Sequence, residues 1–262
     1  MLPKYGQIMR KRQKFILTSV LSTVGVMAAQ MAPLEWRYLL ILLLGGIAYL
    51  LSAWSLSEGL GGAEWLTVLL PQVLFTWGTG WFFILLPGVW WARVLIAVIF
   101  AIGQYALLLS GNIFSAAAIR TIALLRAAQT VGFVMTLFTG FLLLDTVVSF
   151  RFPFMGTAGL VFLVSSLLTL PSLWTVEVGE KLDPKIVLYA LVIGLLMAIL
   201  SVAISFWPLS IASASLFLTS MLYCFLGLSQ HHFSQRLFSK TVWEYVVVGG
   251  VILVTVLVTS LM

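Results

Sequence analysis

Stretches without a single Asp, Glu, Lys or Arg recur along this chain at the length a lipid bilayer demands. Phe15–Leu34, Tyr38–Ser57, Trp65–Ala92, Val94–Ile119, Phe152–Val176 and Ile186–Gln235 are all uncharged, and each reaches the span of about 20 residues that a helix needs to cross a hydrocarbon core of roughly 30 Å. The pattern predicts nine membrane-spanning helices, near residues 15–34, 38–57, 64–86, 89–111, 121–149, 152–175, 184–206, 209–228 and 242–262. The count turns on the uninterrupted run 186–229. As one helix it would extend about 65 Å, twice the hydrocarbon thickness. It must fold back, and Trp207-Pro208 is the corner the sequence offers, because Pro lacks a backbone donor and Trp favours the headgroup level. Eight spans is the lower bound.

Composition agrees with the pattern, at 62% hydrophobic and 8% charged residues. No extramembrane segment is long enough to bury a core of its own. The expected fold is therefore an all-α polytopic helical bundle, a single transmembrane domain over residues 1–262 with a short basic N-terminus at 1–14. In a soluble chain the net charge of +6 would raise the question of nucleic acid. Here Lys4, Arg10, Lys11, Arg12 and Lys14 crowd the N-terminus and the other cations sit at span ends, so membrane lipids are the expected partners and nucleic acid is not. Cys224 is the only cysteine, which excludes an intramolecular disulfide.

The cations also orient the bundle. With the N-terminus inside, the inner face collects eleven of the fourteen Lys and Arg residues, leaving Arg37, Arg93 and Arg151 outside. The positive-inside rule then places the N-terminus inside and, after an odd number of spans, Met262 outside. Without the N-terminal cluster the ratio is still six to three. A competing reading makes the N-terminus a cleaved signal ending near Val26-Met27-Ala28-Ala29. The apolar run continues to Leu34 and is followed by Trp36 and Arg37, which suits an anchor better.

Two inner-face connections, Asn112–Ala128 and Gln230–Thr241, have the spacing of short amphipathic helices lying among headgroups. In the first, Ala118, Ile122, Leu125 and Gln129 share a stripe from which Arg120 and Arg126 project; in the second, Phe233 and Leu237 oppose Gln235, Arg236 and Lys240.

Few polar groups fall deep in the spans. Gln72 lies about 12 Å in from Glu64, and Gln104 about 16 Å in from Arg93. Both are near mid-depth on consecutive helices, and Pro71 frees the carbonyl near Thr67, permitting a kink and a polar pocket. They are the candidate intramembrane polar site; the plainer reading is that two amides bond across a helix interface. The fifth segment carries Arg126, Gln129 and Asp145. Arg126 and Asp145 are about 28 Å apart along one helix, which sets them at opposite boundaries. Arg120, Arg126, Asp145 and Arg151 are therefore candidate interfacial anchors, with Asp145 near enough to pair with Arg151. Gly132, Thr136 and Gly140 recur every four residues, a small-residue face that would admit a neighbouring backbone and make this the central packing helix or a dimer interface.

The loops offer no catalytic, cofactor-binding or metal-binding set. Glu177, Glu180 and Asp183 are interleaved with Lys181 and Lys185, and Asp183-Pro184 is a normal helix start. His231 and His232 are adjacent, so on a helix they diverge by about 100°. Ser57-Glu58-Gly59-Leu60-Gly61-Gly62 lacks the Lys of a phosphate loop.

The stretch from Asn112 through Arg120, Arg126, Gly132 and Asp145 to Arg151-Phe152-Pro153 resembles a segment of uncharacterised polytopic membrane proteins from small-genome candidate-phylum bacteria. The resemblance covers about forty residues. It implies a bacterial inner membrane and brings no activity, cofactor or catalytic residue.

Taken alone, the sequence ranks a non-enzymatic membrane scaffold or complex subunit first, through sparse deep polarity and the close-packing fifth helix. A small-solute or ion carrier or channel, with Gln72 and Gln104 as its site, comes second. A lipid-modifying membrane enzyme comes third, because such chemistry needs convergent acids, bases or metal ligands.

Overall fold

Where no water reaches the backbone, only a helix satisfies every N–H and C=O within one segment, and helix is what these apolar runs form. The computed structural model describes residues 11–86, 89–117, 123–179 and 181–261. In chain order the elements are α1 (Lys11–Met31), α2 (Leu34–Leu56), α3 (Glu64–Thr67), α4 (Leu70–Leu85), α5 (Trp90–Ala117), α6 (Leu125–Ser149), α7 (Phe154–Trp174), α8 (Pro184–Ser205), α9 (Ile211–Phe233) and α10 (Ser239–Leu261). Counting α3 and α4 as one broken span, nine helices among the described residues are long and apolar enough to cross a membrane, the signature of a multi-pass membrane protein. Arg120 lies outside the described residues.

The third span breaks between Thr67 and Leu70, as expected of Pro71, which has no N–H to return to the carbonyl one turn earlier. The corner after α8 falls at 206–210. Neither expected headgroup helix stands as a separate element among the described residues, and residues 118–122 of the first lie outside them. Asn112–Ala117 simply completes α5, a 28-residue helix, and α9 runs on to Phe233 before a turn in which Gln235 takes a left-handed φ of 54°. The physical reason is tertiary. The Gln230 amide donates to the Ser172 carbonyl of α7 at 3.1 Å, and His232 and Phe233 pack on Tyr189 of α8, so this stretch is held as the end of a span.

Side-chain contacts gather alternate helix ends at a common level. At one end Lys14 and Lys11 reach Glu58 at 3.1 and 3.3 Å, stapling the start of α1 to the end of α2, and Lys14 Nζ also lies 5.7 Å from the Trp54 ring centre. The hydrogen bond from Lys14, seconded by Lys11 against the opposing effect of burial, holds the Glu58 carboxyl below its usual range. A pair this accessible adds under about 1 kcal/mol. At the same end a Cβ on Gly59 would touch Ser115 of α5, and Gln129 of α6 donates to the Thr175 carbonyl beyond α7 at 2.6 Å. The other end is aromatic: Trp81 stacks on Tyr38 and meets Phe150 edge-on, and Phe154 packs on Phe206.

Within the bundle α6 is the hub, packed against α4, α5, α7 and α9. The largest core surrounds it with Leu144, Leu168, Trp174, Leu218 and Leu222. The tightest seam joins α7 to α8, where Gly194 lets the helices meet backbone to side chain. At the periphery α10 packs on α9 and only 6% of its span is buried. The first helix is tied in by polar side chains. Ser19 donates to the Ala101 carbonyl at 2.5 Å, Thr18 to that of Leu51 at 3.4 Å, and Gln30 to that of Gly80 at 2.9 Å.

Candidate functional site

The break that Pro71 imposes leaves Gln72 on the first turn of α4, facing inward with 1% of its surface exposed. It lines a partly open cavity of about 30 Å³ bordered by α3, α4, α5, α6 and the end of α7, enough for about two water molecules. Thr67, Ser110, Thr136, Ser172 and Thr175 share the lining, with Pro71 and Pro171 on facing helices. Three of these hydroxyls have already given their proton away. Thr67 donates to the Ala63 carbonyl at 3.1 Å, Thr136 to that of Gly132 at 2.9 Å, and Thr175 to that of Ser172 at 2.8 Å. Each is left as an acceptor. The Gln72 Oε1 is buried with no donor among the described residues. The site thus offers the Thr67, Thr136 and Thr175 oxygens as acceptors, the Gln72 amide and the Ser110 and Ser172 hydroxyls as groups able to donate, and no carboxylate among its lining residues. A smaller void continues from it past Leu74 and Met135 toward Thr139.

Gln104 is completely buried on α5, and neither its Oε1 nor its Nε2 has a partner among the described residues. The two glutamines do not bond to each other. The Gln72 Nε2 lies 3.5 Å from where a Cβ on Gly111 would be, and Gly111 is seven residues from Gln104, about 10 Å along the helix. The two amides thus occupy different levels, and the interface pair expected from their similar depths is absent.

The small-residue stripe of α6 is distributed over several neighbours. Gly132 and Thr136 line the same cavity as Gln72. Gly132 faces the ring of Phe114 at 3.5 Å, while Gly140 faces Leu222 of α9 at 3.1 Å and Leu168 of α7 at 3.5 Å. The stripe admits side chains of this same chain, where a neighbouring backbone was expected. Backbone approach occurs one face over, where a Cβ on Gly78 of α4 would be 3.5 Å from the Thr139 carbonyl.

Of the boundary residues, Arg126 is exposed at the start of α6. Asp145 accepts a hydrogen bond from Ser215 of α9 at 2.8 Å, and makes no ion pair with Arg151, which is exposed in a left-handed turn with φ of 48°. The turn carries the Arg side chain away from α6, so a serine one helix over takes its place as partner. His231 and His232 diverge onto Tyr245 and Tyr189, and no cluster of three His, Cys, Asp or Glu side chains able to hold a metal exists among the described residues.

Sequence reasoning missed the contributions of α7. Pro171, Ser172 and Thr175 complete the cavity, and the signal available was a proline with hydroxyl neighbours near a span end. It also missed Gln30 and Gln230, whose amides find carbonyls on other helices. Both sit one turn or less from a span end, where a Gln reads as headgroup-facing.

The chain belongs to the family described as "Protein of unknown function (DUF5656)", which matches residues 56–259. The match takes in α3 through almost all of α10, including every residue lining the cavity, and leaves α1 and nearly all of α2 outside. No curated protein and no solved structure matches the chain.

Proposed function

We propose that this member of the family is a bacterial inner-membrane protein, N-terminus inside and C-terminus outside, that binds a small cation or donor-rich solute within its bundle as a carrier or channel does. The orientation rests on the cation bias, eleven to three, and the membrane on the resemblance stated above. The functional reading rests on one observation: the Gln72 carbonyl oxygen is buried without a donor in the wall of a cavity whose three threonine hydroxyls have spent their protons on backbone carbonyls. Burying an acceptor unsatisfied costs about 1–3 kcal/mol, and a ligand bearing positive charge or N–H groups recovers it. The absence of carboxylates from the lining limits the charge to one, and the size limits the ligand to that of ammonium or an alkali cation unless the helices part. The broken α3–α4 span fits the discontinuous helices from which membrane transport sites are built.

A scaffold or complex subunit is the second reading, favoured by α10, of whose span 6% is buried and whose Gly250 meets open space. The two readings separate on purified protein. Ammonium, sodium and potassium chlorides are compared with choline chloride at equal ionic strength. The carrier reading expects one of the small cations to raise the melting temperature above choline, and Gln72→Leu to remove that rise. If none differs from choline, the scaffold reading replaces it. Topology reporters fused at residues 1 and 262 are expected to report opposite sides of the membrane; both ends on one side would remove a span from the count.

A further inference from the structure

At the aromatic end of the bundle a separate cleft of about 320 Å³ opens between the α6–α7 turn and the α8–α9 corner. Arg151, Phe152 and Phe154 form one wall, Trp207 and Ile204 the other, with Ser201 at 2% exposure in its floor. Thr157 and Ser205, also in the lining, give their protons to the Phe152 and Ser201 carbonyls at 3.1 and 2.7 Å, so the cleft's cationic donor is Arg151. The ion pairs among the described residues are those of Glu58 with Lys11 and Lys14, so Arg151 has no carboxylate partner there, and Asp145, the nearest in sequence, accepts from Ser215. Helix α7 begins here after Pro153 with no side-chain cap, so its first N–H groups, which have no partner within a helix, add the positive end of the helix dipole. Trp207 carries an indole N–H that only donates. The walls next to these donors are apolar rings, and the cleft sits at a span end, where headgroup and acyl chain meet.

Arg151 is also held at φ 48°, a backbone conformation in which an L side chain is disfavoured and glycine is at ease. A turn that needed only to reverse the chain would be better served by Gly.

We propose that this cleft binds a phospholipid of the surrounding bilayer, its phosphate on Arg151 and Trp207 and its upper acyl chain along Phe152 and Phe154. Guanidinium matches phosphate with paired hydrogen bonds, and the rings supply what a free phosphate could not use. The test is the melting temperature of detergent-purified protein with dioctanoyl phosphatidylglycerol, with dioctanoylglycerol lacking the phosphate, and with inorganic phosphate. The phospholipid is expected to raise the wild-type value by about 5 °C or more at saturation, the other two to leave it within error. Arg151→Gly is expected to melt at or above wild type without lipid and to lose the phospholipid shift, while Arg37→Gln, at the same end, retains it. Arg151→Asn, which tolerates the same φ, gives the same reading should the glycine variant fail to fold. A full shift in Arg151→Gly or Arg151→Asn, or an equal shift with dioctanoylglycerol, overturns the assignment. An equal shift with inorganic phosphate replaces the lipid with a soluble anion and also overturns it. The cation experiment on Gln72 probes the other end of the bundle and can fail or succeed independently.

Discussion

Gly194→Ala is expected to sharply reduce the amount of folded, monodisperse protein recovered from membranes, and Gly194→Leu to abolish it. A Cβ at this position would lie 2.8 Å from the Phe162 carbonyl oxygen and against the Ser166 hydroxyl. The hydroxyl can rotate away. The carbonyl cannot, because it belongs to the backbone of α7, so the helices of the tightest seam in the bundle must separate. Overpacking of this kind costs about 1–3 kcal/mol for small insertions, a substantial part of the 5–15 kcal/mol that holds a typical domain together. Gly140→Leu is expected to fall short of that, since the Leu222 and Leu168 side chains it meets can shift. Gly159→Ala is the control: it lies on α7 with nothing within 4 Å of its Cβ, and gains about 0.5–1 kcal/mol in helix propensity. Recovered yield and melting temperature rank the four variants. Gly194→Ala melting with wild type would show that the α7–α8 seam is looser than drawn.

The seam itself was not legible in the sequence, and the contrast with what was legible is physical. Span positions follow from desolvation, which acts on each residue separately; charge-poor apolar runs therefore reported the nine spans, and Pro71 reported the break in the third. Contacts between helices depend on which faces meet. The four-residue spacing of Gly132, Thr136 and Gly140 marks a smooth surface but not what lies on it, and here three different helices supply the answer. Gly45 accommodates the Trp77 indole, which donates to the Leu42 carbonyl at 3.2 Å, yet nothing near Gly45 in the chain points to a tryptophan on α4. The headgroup helix expected at Gln230–Thr241 failed for a related reason. Over a dozen residues an amphipathic stripe looks the same on a surface helix and at the polar end of a span.

The candidate site divides in the same way. That Gln72 and Gln104 would be deep followed from counting residues. That they would stand at different levels, and that Gln72 would share a cavity with Thr136 and Ser172, depended on the relative shift of three helices. A polar residue deep in a span announces itself in sequence by its cost; its partner does not.

Gln104→Leu is expected to stabilise the protein. A leucine of nearly equal volume fills the same fully buried space, and neither amide atom it removes has a bond to lose. An unsatisfied buried polar group costs about 1–3 kcal/mol, and for a chain of this size each kilocalorie moves the melting temperature by about 2–4 °C, so a rise of roughly 2–12 °C follows. Gln104→Ala separates polarity from packing, because it removes the amide and also opens a cavity, and should melt below Gln104→Leu. Were Gln104→Leu to melt lower than wild type, the amide would be bonded in the folded bundle, and the residue would return to the role of a simple interhelical tie. A rise in melting temperature combined with loss of the cation-induced shift would instead mean that the chain keeps this glutamine against its own stability. That outcome would add Gln104 to the ligand path proposed for Gln72.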